Sequence, residues 1–382
     1  MATTSERRSS NGSGTSERQP ARGAAASEPH SGNRTAAGPI ALWRKASKRP
    51  IEPMEDYGWF GPDSVTWKLW SYPTSPTVGF SRAVVVEELD PFLVAPVTVS
   101  SKIYSQPRVR YDRTLRYFAT IKFGDSRKVV KAAEMLMKVH AKAGSIEPVS
   151  GLWSDPNNPD QQLWIHMTAW HSILYAYETY GPGRLSDEDE RRYWQECAIA
   201  AQAQTIDPEK VPSSREEVRA YFERMRPRLA ASEATQSAMD HLMQAEVIFP
   251  AMPAVLRPGA WALAKLLRAA VIATLPRWQR ELANIRQPRL LDALIRPLMR
   301  PGFRLIASNP RLEVLVLSLI SPQTVPIAGP MILGIKPLRE ETVTPAEAFK
   351  LHAVPTPSEL YEQLKADQST ILYSPSAPAA AG

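Results

Sequence analysis

From about Phe60 onward the apolar residues of this chain recur three and four positions apart and rarely alternate. That spacing lays a single stripe along each helix, so it commits the chain to helices packed on helices rather than to a sheet. Turn residues cut the pattern at readable places. Gly61-Pro62-Asp63-Ser64 is a turn followed by an N-cap before Val65, Trp67 and Leu69. A helix over 106–123 closes at Gly124 and one over 126–143 closes at Gly144, where glycine predicts a left-handed stop. Asp155-Pro156 and Pro159-Asp160 open a third long helix that runs to Tyr180 and ends at Gly181-Pro182-Gly183. Ser186, Ser214 and Ser232 open further helices, each able to accept a backbone N–H. One stretch departs from this pattern: Ala83-Val84-Val85-Val86 and Phe92-Leu93-Val94 read as strand by propensity.

After Phe249 the chain turns to Pro, Leu and Arg. Prolines 288, 297 and 301 predict short helical pieces, because an interior proline removes a backbone donor. Residues 312–335 carry only Glu313 as a charge, but prolines 322, 326 and 330 argue against a spanning helix and leave an interfacial segment. Residues 1–42, rich in Ser, Gly, Ala, Thr and Arg, lack the large apolar side chains needed to offset ordering, so they read as a disordered basic arm. The organisation expected is that arm, a catalytic-type domain over 43–300, and a C-terminal apolar, proline-rich extension over 301–382 with a frayed tail. No apolar run follows Arg7-Arg8, so no signal peptide is expected and the chain is placed in the cytoplasm, with membrane association left open.

The net charge of +7 suggests nucleic acid until it is divided. Residues 1–50 hold nine Lys or Arg against three Glu, which is +6, and 51–382 hold the remaining +1. A body so near neutrality lacks the many cations that neutralise phosphates, so no nucleic acid is expected. Between 265 and 304, however, nine basic residues face two acids, Glu281 and Asp292, and this stretch beside 312–335 suits an anionic lipid surface. The lone cysteine, Cys197, excludes a disulfide framework, a four-cysteine metal site and thioether-linked haem.

Four of the six histidines bear weighing for chemistry. His140 shares a stripe with Ala133, Leu136 and Met137, so its imidazole is expected to point into apolar space, as a satisfied core histidine or as a metal or haem ligand. His166, flanked by Leu163, Trp170 and Ile173, carries the same two readings. His171 lies five positions on, about 140° round the helix, which does not match the spacing of a zinc hydrolase. Arg110, Arg113, Thr114 and Tyr117 share a second face, read either as solvated charge or as donors aimed at an anion or bound oxygen.

The order Gly61-Pro62-Asp63-Ser64-Val65-Thr66-Trp67, then Pro107 with Arg110, Arg113 and Thr114, then Val139-His140-Ala141 and Leu163-Trp164-Ile165-His166, resembles the ER-bound oxygenase MpaB and rubber oxygenase (latex-clearing protein) catalytic-domain family. Tyr193-Trp194 and the stretch after Leu275-Pro276 extend the similarity over about 57–290. The resemblance implies an all-α fold with a globin-like core and an oxygenase that holds haem b non-covalently. It implies His140 as the axial iron ligand, His166 at a cofactor-binding position, and Arg110, Arg113 and Thr114 as a distal catalytic wall. The substrates implied are dioxygen and an apolar, isoprenoid or lipid-like small molecule. The alternative is a non-catalytic helical lipid-binding or membrane-surface protein of the same fold. Two departures stand out. Rubber-cleaving members can carry lysine where this chain has Arg113, whose guanidinium stays protonated and is a poor iron ligand. Many relatives read Leu-His-Pro where this chain has Leu89-Asp90-Pro91, so one family histidine is missing.

Overall fold

The computed structural model describes residues 50–94, 106–146, 151–244, 249 and 253–373, with side chains through 366. The expectations for 1–42, for 95–100 and for the tail after Ser374 fall outside the described residues. Among those residues the chain is all-α, apart from one two-residue antiparallel ribbon of β1 (Ser145–Ile146) and β2 (Trp153–Ser154).

The helices are α1 (Val65–Trp70), α2 (Phe80–Glu87), α3 (Pro107–Phe123), α4 (Ser126–His140), α5 (Pro159–Tyr180), α6 (Asp187–Ala201), α7 (Arg215–Met225) and α8 (Glu233–Met243). After them come α9 (Arg257–Thr274), α10 (Arg277–Leu282), α11 (Arg289–Ala307), α12 (Pro310–Ile320), α13 (Val325–Ile332), α14 (Pro345–Leu351) and α15 (Pro357–Tyr373). The centre of the fold is α5, which packs on α1, α2, α6, α9 and α11. Being surrounded, it is buried nearly all round: Trp164, Met167, Trp170 and Ala176 are at most 0% exposed. Its start is set by Asn158, whose Oδ1 accepts from the Asp160 and Gln161 N–H groups, and by Pro159 at the first turn.

The serine caps form as the sequence implies. Ser64, Ser186, Ser214 and Ser232 each accept the N–H three residues on. The glycine stops do not take the left-handed form expected of them. Gly124 has φ −74° and Gly181 φ −97°, and glycine is required there for space: a Cβ would meet the Thr120 and Tyr177 carbonyl oxygens at 2.6 Å. Gly58, with φ +65°, is the left-handed one, and its Cβ would sit 2.0 Å from the Gly124 carbonyl.

Two expectations are overturned. Ala83 to Val86 lie inside α2 and Phe92 to Val94 inside a short helical turn, so the strand reading of these residues is wrong. β-Branched propensity is weak against tertiary context, and in α2 the burial of Ala83, Val85 and Val86 against α5 decides. Prolines 297 and 301 do not shorten the chain into pieces but sit inside the single helix α11. Ile295, Met299 and Phe303 form the buried row, and both prolines lie on the exposed side, where water can satisfy the carbonyls left without a donor.

The C-terminal part is bonded onto this frame by buried carboxylates. Asp112 of α3 accepts from Ser321 Oγ, Gln323 N (3.3 Å) and Gln323 Nε2 (2.7 Å). Asp56, fully buried, accepts from Gly58 N, from Ser126 N and Oγ, and from Arg339. Burial alone would push its pKa up, but these bonds hold it below the ordinary value. No helix among the described residues is long and apolar enough to cross a membrane.

Candidate functional site

His140 is the last residue of α4, and its ring lines a small cleft of about 20 Å³, room for a single water, formed with Trp153, Asp155, Asn157, and Tyr361 and Leu364 of α15. Gln162, fully buried on α5, aims its Nε2 at His140 Nδ1 (3.0 Å) and at the Pro156 carbonyl (2.6 Å). A carbonyl can only accept, so the Pro156 contact fixes which end of the Gln162 amide is nitrogen. His140 Nδ1 is then an acceptor in this arrangement. Burial depresses the His140 pKa to about 4, opposed by hydrogen bonding to Pro156 and Asn157, so the ring is neutral at physiological pH.

The same direction propagates inward. Gln204 Nε2 donates to Gln162 Oε1 (2.6 Å), which turns Gln204 Oε1 toward His166 Nδ1 (3.0 Å) and makes that nitrogen a donor. His166 Nε2 lies 2.9 Å from the Cys197 carbonyl and 3.3 Å from its thiol. Only the thiol can donate to a neutral ring; a protonated ring would use the carbonyl. Burial, and then the charge of Lys122, hold His166 neutral with a pKa near 3, so the thiol contact prevails. A one-way chain of hydrogen bonds thus links His166 through Gln204 and Gln162 to His140. The sequence reading missed both glutamines, although Gln162 stands four residues before His166 on the same helix face.

Beyond His166 sits Lys122 of α3, 2% exposed, with its ammonium over the rings of Trp70 (4.4 Å), Phe118 (5.0 Å) and Trp170 (5.3 Å). Burial lowers its pKa to about 7, and the ring faces supply part of what water would. It too was missed; a lysine inside the run Phe118 to Phe123 was the available signal.

The Arg110 face does not act as one wall. Thr114 Oγ1 donates to the Arg110 carbonyl (3.0 Å) and Tyr117 OH to the Ala203 carbonyl (3.2 Å), so both protons are already used. Arg113 is exposed, and Arg110 is half-buried. None of the three residues Arg110, Arg113 and Thr114 lines the hollow at His140. Arg110 instead lies in the field of two carboxyls, half-buried Glu87 and buried Glu88, whose pKa values desolvation raises to about 8 and about 7, with Arg110 opposing. Thr168 Oγ1 donates to Glu87 (3.3 Å). Asp90 is buried and caps the turn that follows by accepting from Phe92 N (3.0 Å). Among the described residues no cluster of three or more His, Cys, Asp or Glu could hold a metal.

Fold and site together define an all-α domain organised round a histidine–glutamine chain that runs from buried His166 to half-buried His140. Residues 67–305 match the family model described as ER-bound oxygenase mpaB/B'/Rubber oxygenase, catalytic domain, and the chain belongs to that family. No curated protein and no solved structure matches it. The matched span contains His140, His166 and Arg110 to Thr114, whereas α15, the outer wall of the His140 hollow, lies beyond it.

Proposed function

We propose that this chain is an oxygenase that holds haem b through His140 and acts on an apolar, isoprenoid or lipid-like substrate. The observation that carries the oxygenase reading is the family match over residues 67–305, a span that includes His140, a neutral imidazole at a helix end. A metal takes only an unprotonated imidazole, and a ligating histidine commonly gives its other N–H to a carbonyl. The Pro156 carbonyl and the Asn157 side-chain oxygen, which has no other partner, are the acceptors beside it. As packed, His140 does not fit iron: its Nδ1 accepts from Gln162, which puts the ring's proton on Nε2, and the cleft beside it holds about 20 Å³, so ligation would require the Gln162 amide to turn, the proton to move to Nδ1 and the cleft to open. His166 does not fit as a ligand, since both its nitrogens are engaged in the core; it orients Gln204 and, through Gln162, His140.

When bound, the haem supplies the activation of dioxygen. The chain's own residues do the rest. Glu87, with a pKa of about 8, holds a proton at neutral pH beside Arg110, which is where a carboxyl can both give and take one. A narrow apolar cleft of about 30 Å³ lined by Trp70, Leu115, Phe123, Val316, Leu317 and Ile332, sharing no residue with the one at His140, offers an apolar surface for a hydrocarbon substrate. The purified chain reconstituted with haemin is expected to show a Soret band that His140→Ala abolishes and His166→Ala shifts little. No band in the wild type, or a band that survives His140→Ala, refutes the assignment.

A second reading, docking on an anionic lipid surface, is favoured by α11. Leu290, Leu294, Leu298 and Leu305 are 55–71% exposed along it, interleaved with Arg289, Arg296, Arg300 and Arg304. Exposed leucine with arginine alongside is the composition of an interfacial helix. The chain should float with phosphatidylglycerol vesicles, and Leu294→Glu with Leu298→Glu should abolish flotation; unchanged flotation in that variant removes the reading.

A further inference from the structure

A second hollow, of about 200 Å³, opens between α2, α5, α7 and α10 and shares no lining residue with the one at His140. Its floor contains Arg82, 2% exposed. Arg82 Nη1 donates to Ser172 Oγ (2.6 Å) and meets His171 Nδ1 (3.3 Å), and its Cζ lies 5.1 Å from the Tyr175 ring centroid. No carboxylate among the described residues lies within ion-pair distance of it, and its Nε has no partner. Gln279, 2% exposed and lining the same hollow, has no partner for its Oε1.

The other buried or half-buried charges at this place are matched, and Arg219, which also lines the hollow, is exposed to solvent. Arg215 takes Glu190 (2.7 Å and 2.8 Å) and Glu178 (2.7 Å), and Glu223 faces Arg226 at 3.8 Å. Arg82 is left over. A buried ion with no counter-charge is costly, and an apolar side chain of similar size would serve packing at least as well. Its presence is explained by something that brings the missing charge. Because His171 Nδ1 receives the guanidinium N–H, the ring's proton sits on Nε2, a further donor on the wall of the same hollow.

We propose that this hollow binds a small planar monoanion, a carboxylate on an aromatic body that also carries a hydroxyl. Arg82 and His171 take the carboxylate, Phe222, Tyr175 and Trp278 hold the body, and Gln279 Oε1 accepts the hydroxyl proton. A phosphate dianion suits the site less well, since Glu178 and Glu223 also face it. The site stands independently of the haem assignment.

The test is isothermal titration of the full chain with 6-hydroxy-2-naphthoate, its neutral methyl ester, and 2-naphthoate. The acid is expected to bind one to one and about 10-fold to 100-fold more tightly than the ester, the range for a charge-assisted hydrogen bond in a desolvated site. Arg82→Met should erase that preference while leaving the melting temperature unchanged or higher. Gln279→Leu should remove the preference for the hydroxylated acid over 2-naphthoate. Equal affinity for acid and ester, an undiminished preference in Arg82→Met, or no binding at millimolar concentration overturns the proposal. Should Arg82→Met fail to fold, Trp278→Ala at the rim serves instead. It should weaken acid and ester alike, and unchanged binding there counts equally against the site.

Discussion

Replacing Gln162 by leucine tests whether the chain from His166 to His140 is a cooperative unit. In the native fold the Gln162 amide has three partners: it donates to the Pro156 carbonyl and to His140, and accepts from Gln204. Leucine leaves the buried Gln204 Nε2 with no acceptor and withdraws the donor from His140 Nδ1 and Pro156. At about 1–3 kcal/mol for each buried polar group stranded, and with Pro156 partly able to turn to water, the expected loss is roughly 2–4 kcal/mol. Gln204→Leu should cost a similar amount, because it strands Gln162 Oε1 and the His166 Nδ1 proton. The double variant removes both partners of the central bond, so it should cost less than the sum of the singles by about 1–2 kcal/mol. Urea unfolding followed by tryptophan fluorescence measures all four proteins. Additive losses to within about 0.5 kcal/mol, or a Gln162→Leu loss below that value, would mean the two glutamines are separately solvated and the chain is not continuous.

Two further outcomes follow from the same structure. His140, His166 and His171 all have pKa values lowered by burial, to about 4 and about 3 for the first two. In ring-carbon NMR spectra none of the three should titrate between pH 6 and 8, and a midpoint near 6.5 for any of them would show its ring to be solvated. Because the folded values lie below the unfolded one, each imidazole contributes stability that is full above about pH 6.5 and is lost as pH falls toward its folded pKa. On the exposed side of α11, Pro297→Ala restores a backbone donor within the helix. It should raise stability by roughly 1–3 kcal/mol in thermal unfolding, and a fall would show that Pro297 is packed rather than exposed.

The helical fold was legible because helix starts, stops and stripes are local. Ser64, Ser186, Ser214 and Ser232 cap the N–H three residues away, which needs nothing from the rest of the chain. His140 and His166 could be singled out for the same reason, as polar rings placed in apolar stripes. Pro297 and Pro301 were misread because the rule against proline inside helices assumes that the freed carbonyls have nowhere to turn, and only the packed structure shows that side of α11 facing water.

The sequence by itself determined most helix starts and stops, the apolar stripes of His140 and His166, and which family the chain resembles, though not α2 or the unbroken α11. Only the tertiary structure decided that Gln162 and Gln204, 42 positions apart, bond into one directed chain, and that Lys122 lies among three rings. It alone left Arg82 buried without a carboxylate while Arg215 received two. The physical reason is that a side chain's protonation and hydrogen-bond direction depend on what is packed against it, and those neighbours come from helices remote in sequence.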